Sequence, residues 1–100
     1  MVEEELALQE LLRTASPDVP HLFQHYLYFP SPQAGEAVAE ALRGRGFTVE
    51  SRLGADGVSW LVLASHTLLP ERQALEAART SLEQLARDHA GEYDGWEASS

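Results

Sequence analysis

The sequence predicts an α+β domain with the element order βαββαβ, and three observations predict it. A run rich in aromatic and large apolar groups, His21-Leu-Phe-Gln-His-Tyr-Leu-Tyr-Phe29, is bracketed by Pro20 and Pro30 and reads as a strand. Two later stretches carry apolar residues at helical spacing, and Gly54-Ala-Asp-Gly57 separates two further apolar runs as a hairpin turn does. A chain of 100 residues is one domain's length, and a hydrophobic fraction of 44% is enough for a core and excludes disorder throughout.

From the N-terminus, Leu8, Leu11, Leu12 and Ala15 form a narrow helical stripe over residues 3–14, with Glu3, Glu4 and Glu5 in the first turn, where the helix dipole favours anions. Ala15-Ser-Pro-Asp-Val-Pro20 breaks this helix, so residues 1–20 are expected to be a helix and linker appended to a domain over 21–98. In the first strand Phe23, Leu27 and Phe29 point one way and Leu22, Tyr26 and Tyr28 the other. Ser31 as N-cap and Pro32 in the first turn open a helix over about 32–45, on which Ala34, Ala37, Val38, Ala41 and Leu42 face the core. Its small residues let it lie close to a sheet. Gly44 or Gly46 supplies the left-handed stop, and Phe47, Val49 and Leu53 mark the next strand. After the turn come a strand at Val58 to Ala64, a helix from Pro70 to Gly91 carrying Leu75, Ala78, Leu82, Leu85, Ala86 and His89, and a closing strand at Glu92 to Glu97. This order suggests a ferredoxin-like split βαβ sandwich: a four-stranded antiparallel sheet with both helices on one face. The first strand is apolar on both sides, so the second face needs cover, expected from the Leu8, Leu11, Leu12 stripe of the same chain or of a homodimer mate.

Charge and composition exclude several function classes. Sixteen acidic residues against seven arginines, with no lysine, give a net charge of -9, which repels a phosphate backbone, so no direct nucleic-acid partner is expected. Without cysteine there is no disulfide, no thiolate nucleophile and no thiolate-ligated metal. The acidic start and the lack of a long apolar run give no expectation of a secretory signal or a membrane partner, so a cytoplasmic location is expected.

Catalytic constellations are equally scarce. His21 and His25 have a spacing that chelates a metal on a helix, but on a strand it separates the rings by roughly 13 Å. His25 is therefore expected to be a partly buried residue satisfied by a neighbour. His66 is read in a strand-to-helix connection and His89 near a helix C-terminus. No Gly-x-Ser-x-Gly occurs, and Arg43-Gly-Arg-Gly-Phe47 comes at a helix's end, whereas phosphate is gripped at a helix's start. Glu36 with Glu40 and Glu71 with Glu76 read as solvated helical charge. The expectation is a binding module, not an enzyme, with no cofactor and no metal. The alternative is a small-molecule-binding or hydrolytic domain using the sheet face as a pocket, with His25, Tyr26, Tyr28 and Trp60 as candidate lining residues.

One string is more specific: Gly91-Glu-Tyr-Asp-Gly-Trp-Glu97. Tyr93 and Trp96 are large apolar bodies with polar handles, and Asp94-Gly95 between them permits a tight turn. Either the pair pins the C-terminus over the sheet, with Trp96 substantially buried and the Tyr93 hydroxyl partnered, or it forms a contact surface. Together with His25-Tyr-Leu-Tyr-Phe-Pro30, the Leu42-x-x-x-Gly46-Phe-x-Val49 helix end and Trp60-Leu-Val62, the string Glu92-Tyr-Asp-Gly-Trp96 resembles the RraB family, regulators of ribonuclease E activity. The likeness runs over about residues 21–97. It implies a non-catalytic α+β domain that binds a protein partner, the best-known members inhibiting RNA cleavage by docking on the ribonuclease. It also makes Glu92, Tyr93, Asp94, Gly95 and Trp96 candidate partner contacts. The negative charge suits an Arg-rich protein segment, with Glu3, Glu4, Glu5, Glu92, Asp94 and Glu97 as candidate contacts.

Overall fold

The computed structural model describes Gln9 and residues 19–99. In it β1 (His21–Phe29), α1 (Pro32–Gly44), β2 (Thr48–Leu53), β3 (Trp60–Leu68), α2 (Arg72–Asp88) and β4 (Glu92–Ser99) follow one another along the chain. The sheet order is β2-β3-β1-β4, and every neighbouring pair is antiparallel. This is the expected split βαβ arrangement. The helix read over residues 3–14 and its leucine stripe lie outside the described residues.

Alternation in β1 positions the core. His21, Phe23, His25, Leu27 and Phe29 are all buried on the side facing the helices, opposite Leu68, His66, Ala64, Val62 and Trp60 of β3. Leu27, Phe29, Val62 and Ala64 meet Val38, Ala39 and Leu42 of α1 and Leu82 and Ala86 of α2 in one cluster. Phe23 and Leu75 form a second cluster, packed by Leu68 and Trp96. Burying each large apolar side chain contributes about 1.5 to 3 kcal/mol relative to leaving it in water.

Ser31 caps α1 as its sequence position requires, Oγ accepting from the Ala34 amide at 3.2 Å. The buried face of α1 is rotated from the expected one: Gly35, Val38, Ala39 and Leu42 are buried, whereas Ala37 and Ala41 are exposed. Gly35 is the cause. The Trp60 indole occupies the space that a Cβ there would need, so the helix backbone lies directly on the β3 tryptophan.

β3 begins two residues later than expected and runs four residues further, which moves His66 from a connection into the sheet. The late start follows from the hairpin. Asp56 Oδ1 accepts from the amides of Val58 and Ser59 at 2.9 Å each, and Gly54 donates to the Ser59 carbonyl at 2.7 Å, so residues 57–59 stay in the turn. These amide donors also hold the Asp56 carboxyl below its ordinary range. The extension follows from β1, whose first residues His21 to Gln24 pair with Ser65 to Leu68. Likewise α2 starts at Arg72 and not at Pro70, with Glu71 as an N-cap that makes no side-chain capping bond.

Both helices end in the same backbone motif. In α1 the Phe47 amide donates to Leu42 and that of Gly46 to Arg43; in α2 the Gly91 amide donates to Ala86 and that of Ala90 to Arg87. This pairing requires a left-handed residue just past the helix. Gly46 fills the role at φ 94°, but after α2 it is Ala90, at φ 60°, and not the expected Gly91. Gly91 serves close approach instead, because the Phe29 ring and the Tyr28 carbonyl stand where its side chain would be. An alanine held left-handed costs roughly 1 to 2 kcal/mol, partly offset by its lower unfolded-state entropy relative to glycine. Ala90→Gly is therefore expected to stabilise the fold by about 0.5 to 1 kcal/mol in urea unfolding; an unchanged or lower midpoint counts against the assignment.

Candidate functional site

Tyr93 and Trp96 are three residues apart, a spacing that in a regular strand sends side chains to opposite faces. In the structure both are on the helix-facing side. The register of β4 against β1 shifts between His25, which pairs with Trp96, and Leu27, which pairs with Tyr93. Asp94 and Gly95 occupy this shift with Gly95 at φ 96°, forming a β-bulge and not the expected tight turn. The extra residue restores the parity of the strand. Trp96 packs edge-on against Phe23 at 5.4 Å between ring centroids, and Tyr93 packs against the central cluster. Both residues are partly buried.

The Tyr93 hydroxyl reaches His25, its oxygen lying 2.8 Å from His25 Nδ1. On the other side of the ring, His25 Nε2 is 2.9 Å from His66 Nε2. One of these facing nitrogens carries a proton, and its location sets the direction of the chain. If His25 Nε2 is protonated, Nδ1 accepts from Tyr93; if His66 Nε2 is protonated, His25 donates through Nδ1. His66 in turn stacks on Phe47 at 4.6 Å and meets Phe23 edge-on at 6.3 Å. His25 is wholly enclosed, so burial first and the charge of His66 second push its pKa down to about 3, and burial lowers that of His66.

The sheet-face pocket candidates do not converge. His25 and Trp60 face the helices, whereas Tyr26 and Tyr28 face the other way. Trp60 donates through Nε1 to Ser51 Oγ at 2.7 Å, and Ser51 donates to Glu36 Oε1 at 2.7 Å, a chain that ties β3, β2 and α1 together. Tyr26 and Tyr28 border one shallow depression on the face opposite the helices, and Tyr28 also borders a second at the end of the sheet, shared with Phe29, Ala90 and Gly91. One of about 330 Å³ is lined by Tyr26, Tyr28, Asp94, Trp96 and Glu97; another of about 320 Å³ continues past Tyr28 to Pro30, Ser59 and Glu92. Glu92, Asp94 and Glu97 are exposed along this edge. Burial first, and secondarily the negative charge of nearby Glu97, raise the pKa of Tyr26. Among the described residues no group of three or more histidines or carboxylates is arranged to hold a metal. Strand alternation over Trp60, Val62, Ala64 and His66 was the signal that could have placed His66 beside His25; the polar Ser65 and His66 obscured it.

Two measurements test the network. Folded His25 stays neutral down to about pH 3 while the unfolded imidazole binds a proton near 6.5, so stability is full above about pH 7 and is lost as pH falls between these values. Between pH 7 and 5 the loss from His25 is about 2 kcal/mol, with His66 adding in the same direction, and His25→Gln should flatten the dependence measured by urea unfolding. Tyr93→Phe strands a buried ring nitrogen and should cost about 1 to 3 kcal/mol, and Trp96→Ala, which opens a partly exposed site, about 3 kcal/mol. Calorimetric midpoints unchanged by either variant would mean that the motif does not hold β4 in place.

No helix among the described residues is long and apolar enough to cross a membrane. A search of curated proteins gives no match. A family model described as "Regulator of ribonuclease activity B" matches residues 3–98, further toward the N-terminus than the likeness read over 21–97. With almost the whole chain matched and the Glu92-to-Trp96 string placed in the sheet, the chain belongs to the RraB family.

Proposed function

We propose that this chain regulates a ribonuclease by binding a protein, and that it neither cleaves nor directly binds RNA. The family match over residues 3–98 carries the reading. Two physical features support it. The net charge of -9 disfavours a polyanion and favours a cationic protein surface. His25, the most enclosed histidine, has both ring nitrogens engaged by Tyr93 and His66, which withdraws it from acid–base work on a substrate. The hydrolytic alternative is weakened further because His25 lies on the opposite side of the sheet from Tyr26 and Tyr28.

The location that fits this role is the cytoplasm, and the contacts proposed for the partner lie along β4, at Glu92, Asp94 and Glu97. The test adds the purified chain to a ribonuclease from its own cells acting on a labelled transcript. The expected result is a changed cleavage rate that saturates with chain concentration, with no cleavage by the chain alone. In parallel, bare RNA should show no retention across a salt series. Tight RNA binding that weakens steeply with salt would replace this reading with direct RNA recognition.

A further inference from the structure

The face of the sheet opposite the helices, whose expected cover by the Leu8, Leu11, Leu12 stripe lies outside the described residues, carries an asymmetry in charge among the described residues that the core does not require. Among the described residues most arginines lie at the end of α1 and on α2, where Arg72 pairs with Glu76 and Arg79 with Glu83; Arg52 of β2 lies near enough to Tyr26 to act on its pKa, and its charge is paired with Glu50. No ion pair among the described residues reaches Glu92, Asp94 or Glu97. Asp94 and Glu97 line one side of a trough whose other wall is Tyr26 and Tyr28, and Glu92, paired with Tyr28, lines the adjoining depression at the end of the sheet. The bulge that turns Tyr93 and Trp96 inward also sets Asp94 on the outward side, beside the two tyrosines.

We propose that this trough is the docking surface for an arginine-bearing, extended segment of the protein partner, a proposal that rests on the regulatory reading above. The chemistry selects arginine. Tyr26 and Tyr28 are alternate residues on one face of one strand, about 6.6 Å apart along it, and aromatic rings attract a flat cation. A guanidinium laid there presents its fork of N–H donors to Asp94 and Glu97, an arrangement that a lysine ammonium cannot reproduce. The Glu97 carboxylate lies close enough to the Tyr26 phenol to raise its pKa. The depressions, at about 320 and 330 Å³, adjoin at Tyr28 and form a path for several residues rather than a closed pocket for one small molecule.

The test uses the full chain and a fluorescein-labelled Arg-Gly repeat peptide, its Lys-Gly counterpart, and the ribonuclease assay described above. Binding by fluorescence anisotropy should favour the arginine peptide several-fold. D94N/E97Q should weaken it by roughly tenfold, and Tyr28→Leu by a similar factor, whereas Tyr28→Phe retains it. E40Q/E71Q removes the same charge from the helix side and should leave binding within about twofold, because surface charges beyond a Debye length are screened. Thermal unfolding of each variant separates lost binding from lost fold. Equal weakening by D94N/E97Q and E40Q/E71Q would show attraction to net charge alone and overturn the proposal. So would intact ribonuclease regulation by D94N/E97Q, or a trough filled by a second copy in sedimentation. If the arginine peptide binds through the trough while the wild-type chain leaves ribonucleases unaffected, the regulatory reading fails and the arginine site stands.

Discussion

The structure depends on the way β1 resolves its own composition. An uninterrupted alternation from His21 to Phe29 buries every odd position, so His25 goes to the centre of the core together with Phe23 and Leu27. A buried imidazole without partners costs several kcal/mol, and the fold offsets this by bringing one partner from each flanking strand, Tyr93 from β4 and His66 from β3. That requirement propagates. The Tyr93 hydroxyl has to arrive on the helix side, Trp96 has to cover Phe23 on the same side, and three residues of strand cannot meet both demands without an inserted residue. Asp94-Gly95 is the local solution.

At the far end of β1 the polar accounting is less complete. His21 Nε2 is buried with no hydrogen-bond partner among the described residues, near the point where the sheet meets exposed Leu69 and Val19. The contrast with His25 shows what the network does: the same residue type, four positions earlier in one strand, finds among the described residues neither a hydroxyl nor a second ring within hydrogen-bond reach.

Much of the fold was legible because it rests on local chemistry. The prolines around β1, the Ser31 cap, the apolar periods of both helices and the glycine-rich hairpin each act within a few residues. What could not be read depends on contacts across the sheet. Ala37 and Ala41 obey the helical period as well as Gly35 and Ala39 do, and only the Trp60 ring decides which pair is buried. The bulge was hidden for the same reason, since Asp-Gly is the signature of a turn, whereas here the strand runs on through it. His66 looked like a connector because Ser65 and His66 break an apolar run, although strand pairing with Gln24 and Phe23 extends through them. The candidate pocket was misjudged by parity alone: neighbours in sequence, His25 and Tyr26, are separated by the thickness of the sheet.

The bulge in β4 has one more consequence, for how the molecule can associate. An edge strand normally offers an unbroken ladder of amides and carbonyls onto which any extended chain can zip, indifferent to sequence and prone to stacking of copies. Here the ladder is interrupted midway, twisted, and fringed by carboxylates that repel an identical edge. If the partner docks along this rim as proposed, recognition is left to side chains in place of backbone, and discrimination between partners moves from shape shared by all polypeptides to chemistry that few of them carry.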